Sequence, residues 1–118
     1  MKVVGIIQAR TGSKRLPNKV LLKLGNKTIL EILIKRLRSS KMLNKIVVAT
    51  TTKVEDDAIE SIARTCGVEV FRGSEKDVLD RFYKAALAYN ANVVVRITAD
   101  NPLTDVDLLD RMVNILIK

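Results

Sequence analysis

Four short runs rich in valine and isoleucine punctuate the chain, at residues 2–8, 45–50, 68–72 and 92–98. They are nearly continuous in apolar character rather than alternating. Strands of that kind are buried on both faces, as in a parallel sheet sandwiched between helices. The stretches between them carry helical periodicity. Leu30, Leu33, Ile34 and Leu37 recur at helical spacing behind Thr28 and Glu31, which fit a capping box. A second helix is predicted over 54–65, with Ala58, Ile59, Ile62 and Ala63 on one face and Gly67 as a left-handed stop. Glu55, Asp56 and Asp57 suit its N-terminal dipole end.

A third helix is predicted from about Ser74, a cap with Asp77 three residues on. It carries Val78, Leu79, Phe82, Ala85, Ala86 and Tyr89. A fourth runs from about Asp105 to the end through Val106, Leu109, Met112, Val113 and Leu116. Strands alternating with helices predict an α/β fold, a mostly parallel Rossmann-like sheet flanked by helices. Right-handed crossovers make its four strands parallel. Ligands of such sheets bind beyond the carboxyl ends of the strands. Those ends lead into residues 9–19, 50–53, 73–77 and 98–104, where the chemically interesting side chains gather.

Composition agrees with one domain spanning 1–118: 47% apolar residues fill a core that 3% aromatics cannot. No apolar run approaches the roughly 18 residues that span a bilayer, and the N-terminus shows no cleavage pattern. With a single cysteine, Cys66, no internal disulfide is available, and a cytoplasmic protein is expected. The absence of histidine excludes a Ser–His or Cys–His hydrolase, and with one cysteine it excludes a zinc cluster.

Charge is unevenly placed. Residues 1–45 hold 12 lysines and arginines against one acid, Glu31, while residues 46–118 hold nine against 12 acids. This asymmetry predicts an anionic partner or, more simply, a solvated basic face. Nucleic acid is not the expected partner, because aromatics are too few for stacking and no helical reader is evident.

The loop over residues 9–19 is long for a strand-to-helix connection. It holds Arg10, Lys14, Arg15 and Lys19, with Gly12 letting backbone amides approach a ligand. Amides in a concave turn beside cations make an anion site. Neither a Walker A pattern nor Gly-x-Gly-x-x-Gly follows the first strand, which argues against the usual nucleotide folds. At the fourth strand's end, Asp100-Asn101-Pro102 reads either as a turn or as a carboxylate holding Mg2+ against phosphates.

Together these segments resemble the acylneuraminate/Kdo cytidylyltransferase family, in its spore-coat-polysaccharide-type branch. The block from Ile6 to Lys19 matches the family's N-terminal signature. The blocks at 47–51, 71–81 and 95–103 follow in order, with Ala99 where relatives often have Gly. The resemblance implies a nucleotide-diphospho-sugar transferase fold. It implies transfer of a cytidylyl group from CTP to a sugar acid or related acceptor in surface polysaccharide biosynthesis, with Mg2+. By position, Arg10 and Lys19 would bind the triphosphate and carry the catalysis. Gly12, Ser13 and Arg15 would shape the loop, Ala9 would lie beneath the base or ribose, and Ser74 and Asp77 would lie near the cytidine. Asp100 would hold the metal.

Family members are considerably longer, so the resemblance covers the N-terminal part of a truncated fold. Nucleotide binding is therefore expected more readily than turnover. A non-catalytic nucleotide-binding or assembly module, with an open sheet edge that favours a homo-oligomer, is the alternative.

Overall fold

The computed structural model describes residues 2–11, 19–99 and 105–117. Its main sheet is formed by β1 (Val3–Gln8), β4 (Lys45–Thr51), β5 (Glu69–Gly73) and β6 (Val93–Thr98), in the spatial order β5-β4-β1-β6 and wholly parallel. The predicted strands therefore stand, within a residue or so at their ends. Between β1 and β4 lie a 3-10 turn, Lys19–Leu21, a minimal hairpin of β2 (Lys23–Leu24) and β3 (Lys27–Thr28), and the helix α1 (Ile29–Leu37). The hairpin was not anticipated. Each of its strands has two residues, too few to show a period, and only Gly25, at φ +71°, marks its turn.

The remaining helices are α2 (Asp57–Thr65), α3 (Val78–Ala88) and α4 (Val106–Ile117). The Thr28–Glu31 capping box opens α1 as the sequence implies. α2 begins later than the periodicity suggests, because Val54–Asp56 forms a separate 3-10 turn. Gly67, at φ +79°, ends α2: its N–H donates to the Arg64 carbonyl and that of Val68 to the Ala63 carbonyl, the paired bonds of a Schellman stop. Asn90, at φ 54°, closes α3 in the same way, with N–H donation from Asn90 to Leu87 and from Ala91 to Ala86.

Two asparagines set the register at the amino end of the sheet. Asn44 accepts the Val3 N–H on Oδ1 at 2.7 Å and returns its own N–H to the Val3 carbonyl. Asn92 does the same for Lys2 from the other side. These bonds hold the start of β1 between β4 and β6.

Residues of β1 alternate between two cores. Val3 and Ile7 pack with Leu30, Leu33, Ile34 and Leu37 of α1, Ile59 and Ala63 of α2, and Leu109 and Val113 of α4. Val4 and Ile6 pack on the opposite face with Val47, Ala49 and Ala85 of α3. Gln8 continues that second face to the carboxyl edge by the two-residue period of a strand.

Some positions expected in the core are exposed. Leu79 in α3, and Met112 and Leu116 in α4, stand 75%, 57% and 73% open. Ala58 in α2 is also exposed. Helical spacing marks a stripe, but the width of that stripe which is buried depends on what lies opposite. α3 meets the sheet through Arg81 and Ala85, and α4 through Val106, Leu109 and Val113.

Candidate functional site

The sheet order places a switch point at β1. From it the chain moves outward through β4 to β5, then crosses back by way of α3 to β6 on the other side of β1. Ligands of such sheets bind beyond the carboxyl ends of the strands where the order reverses, here beside β1 and β6. Gln8 pairs in register with Thr98 at that edge.

Beyond β1 the chain is held in place rather than released. The Ala9 N–H donates to the Ala49 carbonyl at 3.0 Å, and Ala9 is buried. Thr11 then donates twice to Asp56, from its backbone N–H and its hydroxyl, each at 2.8 Å. The Thr51 hydroxyl donates to the other oxygen of the same carboxylate. Asp56 is 1% exposed, so the loops leaving β1 and β4 share a buried anchor. Burial by itself pushes the Asp56 carboxyl up. The hydrogen bonds from Thr51 and Thr11 outweigh burial and hold it below the usual range.

On the other face of β1 lies Arg81, 2% exposed. Its Nε donates to Gln8 Oε1 at 3.1 Å and its Nη1 to the Ser74 carbonyl at 2.8 Å. Among the described residues no carboxylate forms an ion pair with it. Burial, followed by the nearby charge of Arg10, pulls its guanidinium down from its ordinary value, and Asp56 offsets part of this. Two arginines thus raise a positive field at the carboxyl end of β1, offset among the described residues by the buried Asp56. A site so arranged favours an anion.

The loop between β5 and α3 closes this corner. Asp77 is the N-cap of α3, accepting the Asp80 N–H on Oδ1 at 2.9 Å, and the Ser74 hydroxyl accepts the Asp77 N–H at 3.1 Å. The cap therefore falls on Asp77 instead of Ser74, and α3 begins at Val78. Gly73 leaves room for Arg81: a Cβ there would come within 3.2 Å of its Cγ and 3.0 Å of the Phe71 ring. A Lys53–Glu75 ion pair at 2.6 Å ties this loop to the end of β4. Arg72 adds a second tie, donating to the carbonyls of Thr51 and Lys53 and pairing with Asp57 and Glu60.

Of the residues singled out from sequence, Ala9, Arg10 and Ser74 converge here through the Gln8–Arg81 link, and Asp77 lies at the rim as a cap. Gly12, Ser13, Lys14, Arg15 and Asp100 lie outside the described residues, as does the side chain of Lys19. No group of three or more acids or cysteines suited to a metal occurs among the described residues.

Gln8, Asp56 and Arg81 were not singled out as site residues. Arg81 had a signal: with Val78 and Ala85 it lies at helical spacing, a cation on a stripe otherwise apolar. Asp56 had none, since an acid at the start of a helix is explained by the dipole.

Comparison with known proteins agrees with this geometry. The family model described as Cytidylyltransferase matches residues 4–118. The spore coat polysaccharide biosynthesis protein SpsF of Bacillus subtilis is 47% identical over 94% of this chain and 48% of its own length. The 3-deoxy-manno-octulosonate cytidylyltransferase of Bdellovibrio bacteriovorus is 32% identical over 99% of this chain and 47% of its own. A solved cytidylyltransferase from Leptospira borgpetersenii superposes with a TM-score of 0.94 at 48% identity, covering 98% of this chain and 48% of that one. The chain spans about half the length of the curated relatives it matches.

Proposed function

From the premise that this chain belongs to the cytidylyltransferase family, we propose that it forms the CTP-binding part of an enzyme that moves a cytidylyl group from CTP to a sugar acid or related acceptor for surface polysaccharide biosynthesis. The observation that carries the reading is the buried Arg81, which has no carboxylate partner among the described residues, beside Arg10 at the carboxyl end of β1. Such a pair of cations is stabilised by a polyanion, and the crevice at the switch point is where a nucleotide of an α/β sheet sits.

In the proposed reaction the acceptor oxygen attacks the α-phosphorus as pyrophosphate departs, and no protein nucleophile takes part. Rate enhancement then rests on alignment and on neutralising the leaving group's charge. Arg10 supplies a fixed, planar donor to phosphate oxygens. Asp56 acts at one remove, holding Thr11 and hence the start of the loop that Gly12, Ser13 and Arg15 shape and that ends at Lys19, assigned with Arg10 to the triphosphate. Ala9 and Ser74 border the nucleoside.

Mg2+ is part of the proposal, with Asp100 as its protein ligand. Asp100 follows Thr98, the register partner of Gln8, by two residues. One carboxylate suits an ion that keeps most of its waters and takes phosphate oxygens as partners. When bound, it would supply charge neutralisation at the phosphates. A cytoplasmic location and a homo-oligomeric state belong to the same proposal. Among the described residues no helix is long and apolar enough to cross a membrane.

Calorimetric titration tests the reading: CTP binding that strengthens with Mg2+ and weakens in Arg10→Ala supports it. Binding of CTP no tighter than ATP would remove the cytidylyl assignment.

A further inference from the structure

The side chain of Gln8 is satisfied on one side only. Its Oε1 accepts from the Arg81 guanidinium at 3.1 Å, while its Nε2 is buried and has no acceptor among the described residues. A buried donor without a partner is costly in an unliganded fold, and natural proteins seldom keep one without a use for it. Arg81 also settles which way the amide faces. A guanidinium can only donate, so the oxygen of Gln8 must point toward it and the NH2 must point away. A second bond, from Arg81 to the Ser74 carbonyl, fixes the guanidinium itself. Gln8 is thus held as a pure donor, and it directly precedes Ala9 and Arg10 at the switch point. The residue as a whole is partly exposed at that edge.

Such a donor distinguishes pyrimidines. Ring nitrogen N3 of cytosine is an acceptor, whereas N3 of uracil carries a hydrogen and would oppose the amide donor to donor. We propose that Gln8, oriented by Arg81, donates from Nε2 to N3 of the cytosine ring and selects CTP over UTP. The inference rests on the CTP reading above and adds a residue-level cause for its base preference. Arg81 is a positioning residue in it, acting through Gln8. A site built to hydrogen-bond a ligand rejects an analogue that leaves its polar group unpaired.

The test uses calorimetric titration of the wild type, Gln8→Leu and Gln8→Glu with CTP, UTP and 3-deaza-CTP, which replaces N3 by a carbon. The wild type is expected to favour CTP over both analogues by about tenfold or more. Gln8→Leu is expected to bind all three within about threefold. Gln8→Glu is expected to move toward UTP, whose N3–H a carboxylate accepts. Equal wild-type affinity for CTP and 3-deaza-CTP overturns the proposal, and that ligand-side result stands even if a variant fails to fold. If CTP is preferred to UTP but not to its 3-deaza analogue, Gln8 is misassigned while the CTP reading holds. If the wild type does not bind CTP, both fall together.

Discussion

At the residue scale, the site depends on side chains that bury charge. Asp56 receives three hydrogen bonds from Thr11 and Thr51 while almost wholly enclosed. Its carboxyl titrates below the ordinary value of 3.8. A depressed carboxylate adds stability that is complete above its unfolded pKa and is lost as pH falls through its folded one. Urea unfolding followed from pH 7 downward should therefore show a loss of stability below about pH 4 that Asp56→Asn lacks. Asp56→Ala should cost about 1–3 kcal/mol at neutral pH, because the threonine donors lose their acceptor. A variant as stable as the wild type across that range would show that the anchor contributes nothing. Gly73→Ala tests the other buried charge. The added methyl meets the Phe71 ring and the stem of Arg81, and overpacking of this kind costs about 1–3 kcal/mol. Thermal unfolding should register it as a lower Tm.

At the element scale, helix ends were legible where their signal is local, while the starts of α2 and α3 fell later than the sequence suggested. Thr28 and Glu31 announce α1 because a capping box is local: two residues three positions apart carry the whole signal. Gly67 announces the end of α2 for the same reason. Asn90 performs the same task at the end of α3 but is less diagnostic, since asparagine serves many turns. Thr28→Ala should destabilise the fold by about 1 kcal/mol in denaturant titration, with Glu31→Gln milder because an amide oxygen can still accept the Thr28 N–H. Equal effects of the two would deny the reciprocal pairing.

Faces were legible where tertiary partners are many. Leu30, Leu33, Ile34 and Leu37 are all buried, since α1 lies over the centre of the sheet. Met112 and Leu116 share the spacing of Leu109 and Val113, yet lie exposed. Periodicity reports which residues are apolar, and only the packing of neighbouring elements decides which of them are covered. The site divides in the same manner. Ala9 and Arg10 belong to a loop whose length and charge betray it, and Ser74 was reached through the family resemblance. Gln8, Asp56 and Arg81 look locally like a strand end, a helix start and a helix surface, and only the folded sheet brings them to one edge.

At the scale of the whole molecule, parallel pairing followed from the nearly continuous apolar strands, but their spatial order did not. Right-handed crossovers permit several orders. The one observed puts β1 between β4 and β6, with Arg10 just past the end of β1 at the switch point. Net charge thereby acquires a partial location: Arg10 stands near Arg81 at the carboxyl end of β1, while Lys2 and Lys45 lie at the opposite, amino end of the sheet. Triphosphate binding should weaken as salt rises, since the site draws on exposed as well as buried cations.

The most direct test of the account is calorimetric titration of CTP against ATP with Mg2+, comparing the wild type with Arg10→Ala. The account predicts that CTP binds in preference to ATP and that losing the Arg10 guanidinium weakens CTP by about tenfold or more, as expected for a charge-assisted phosphate contact. CTP affinity indistinguishable from that of ATP, or unchanged in Arg10→Ala, would contradict it.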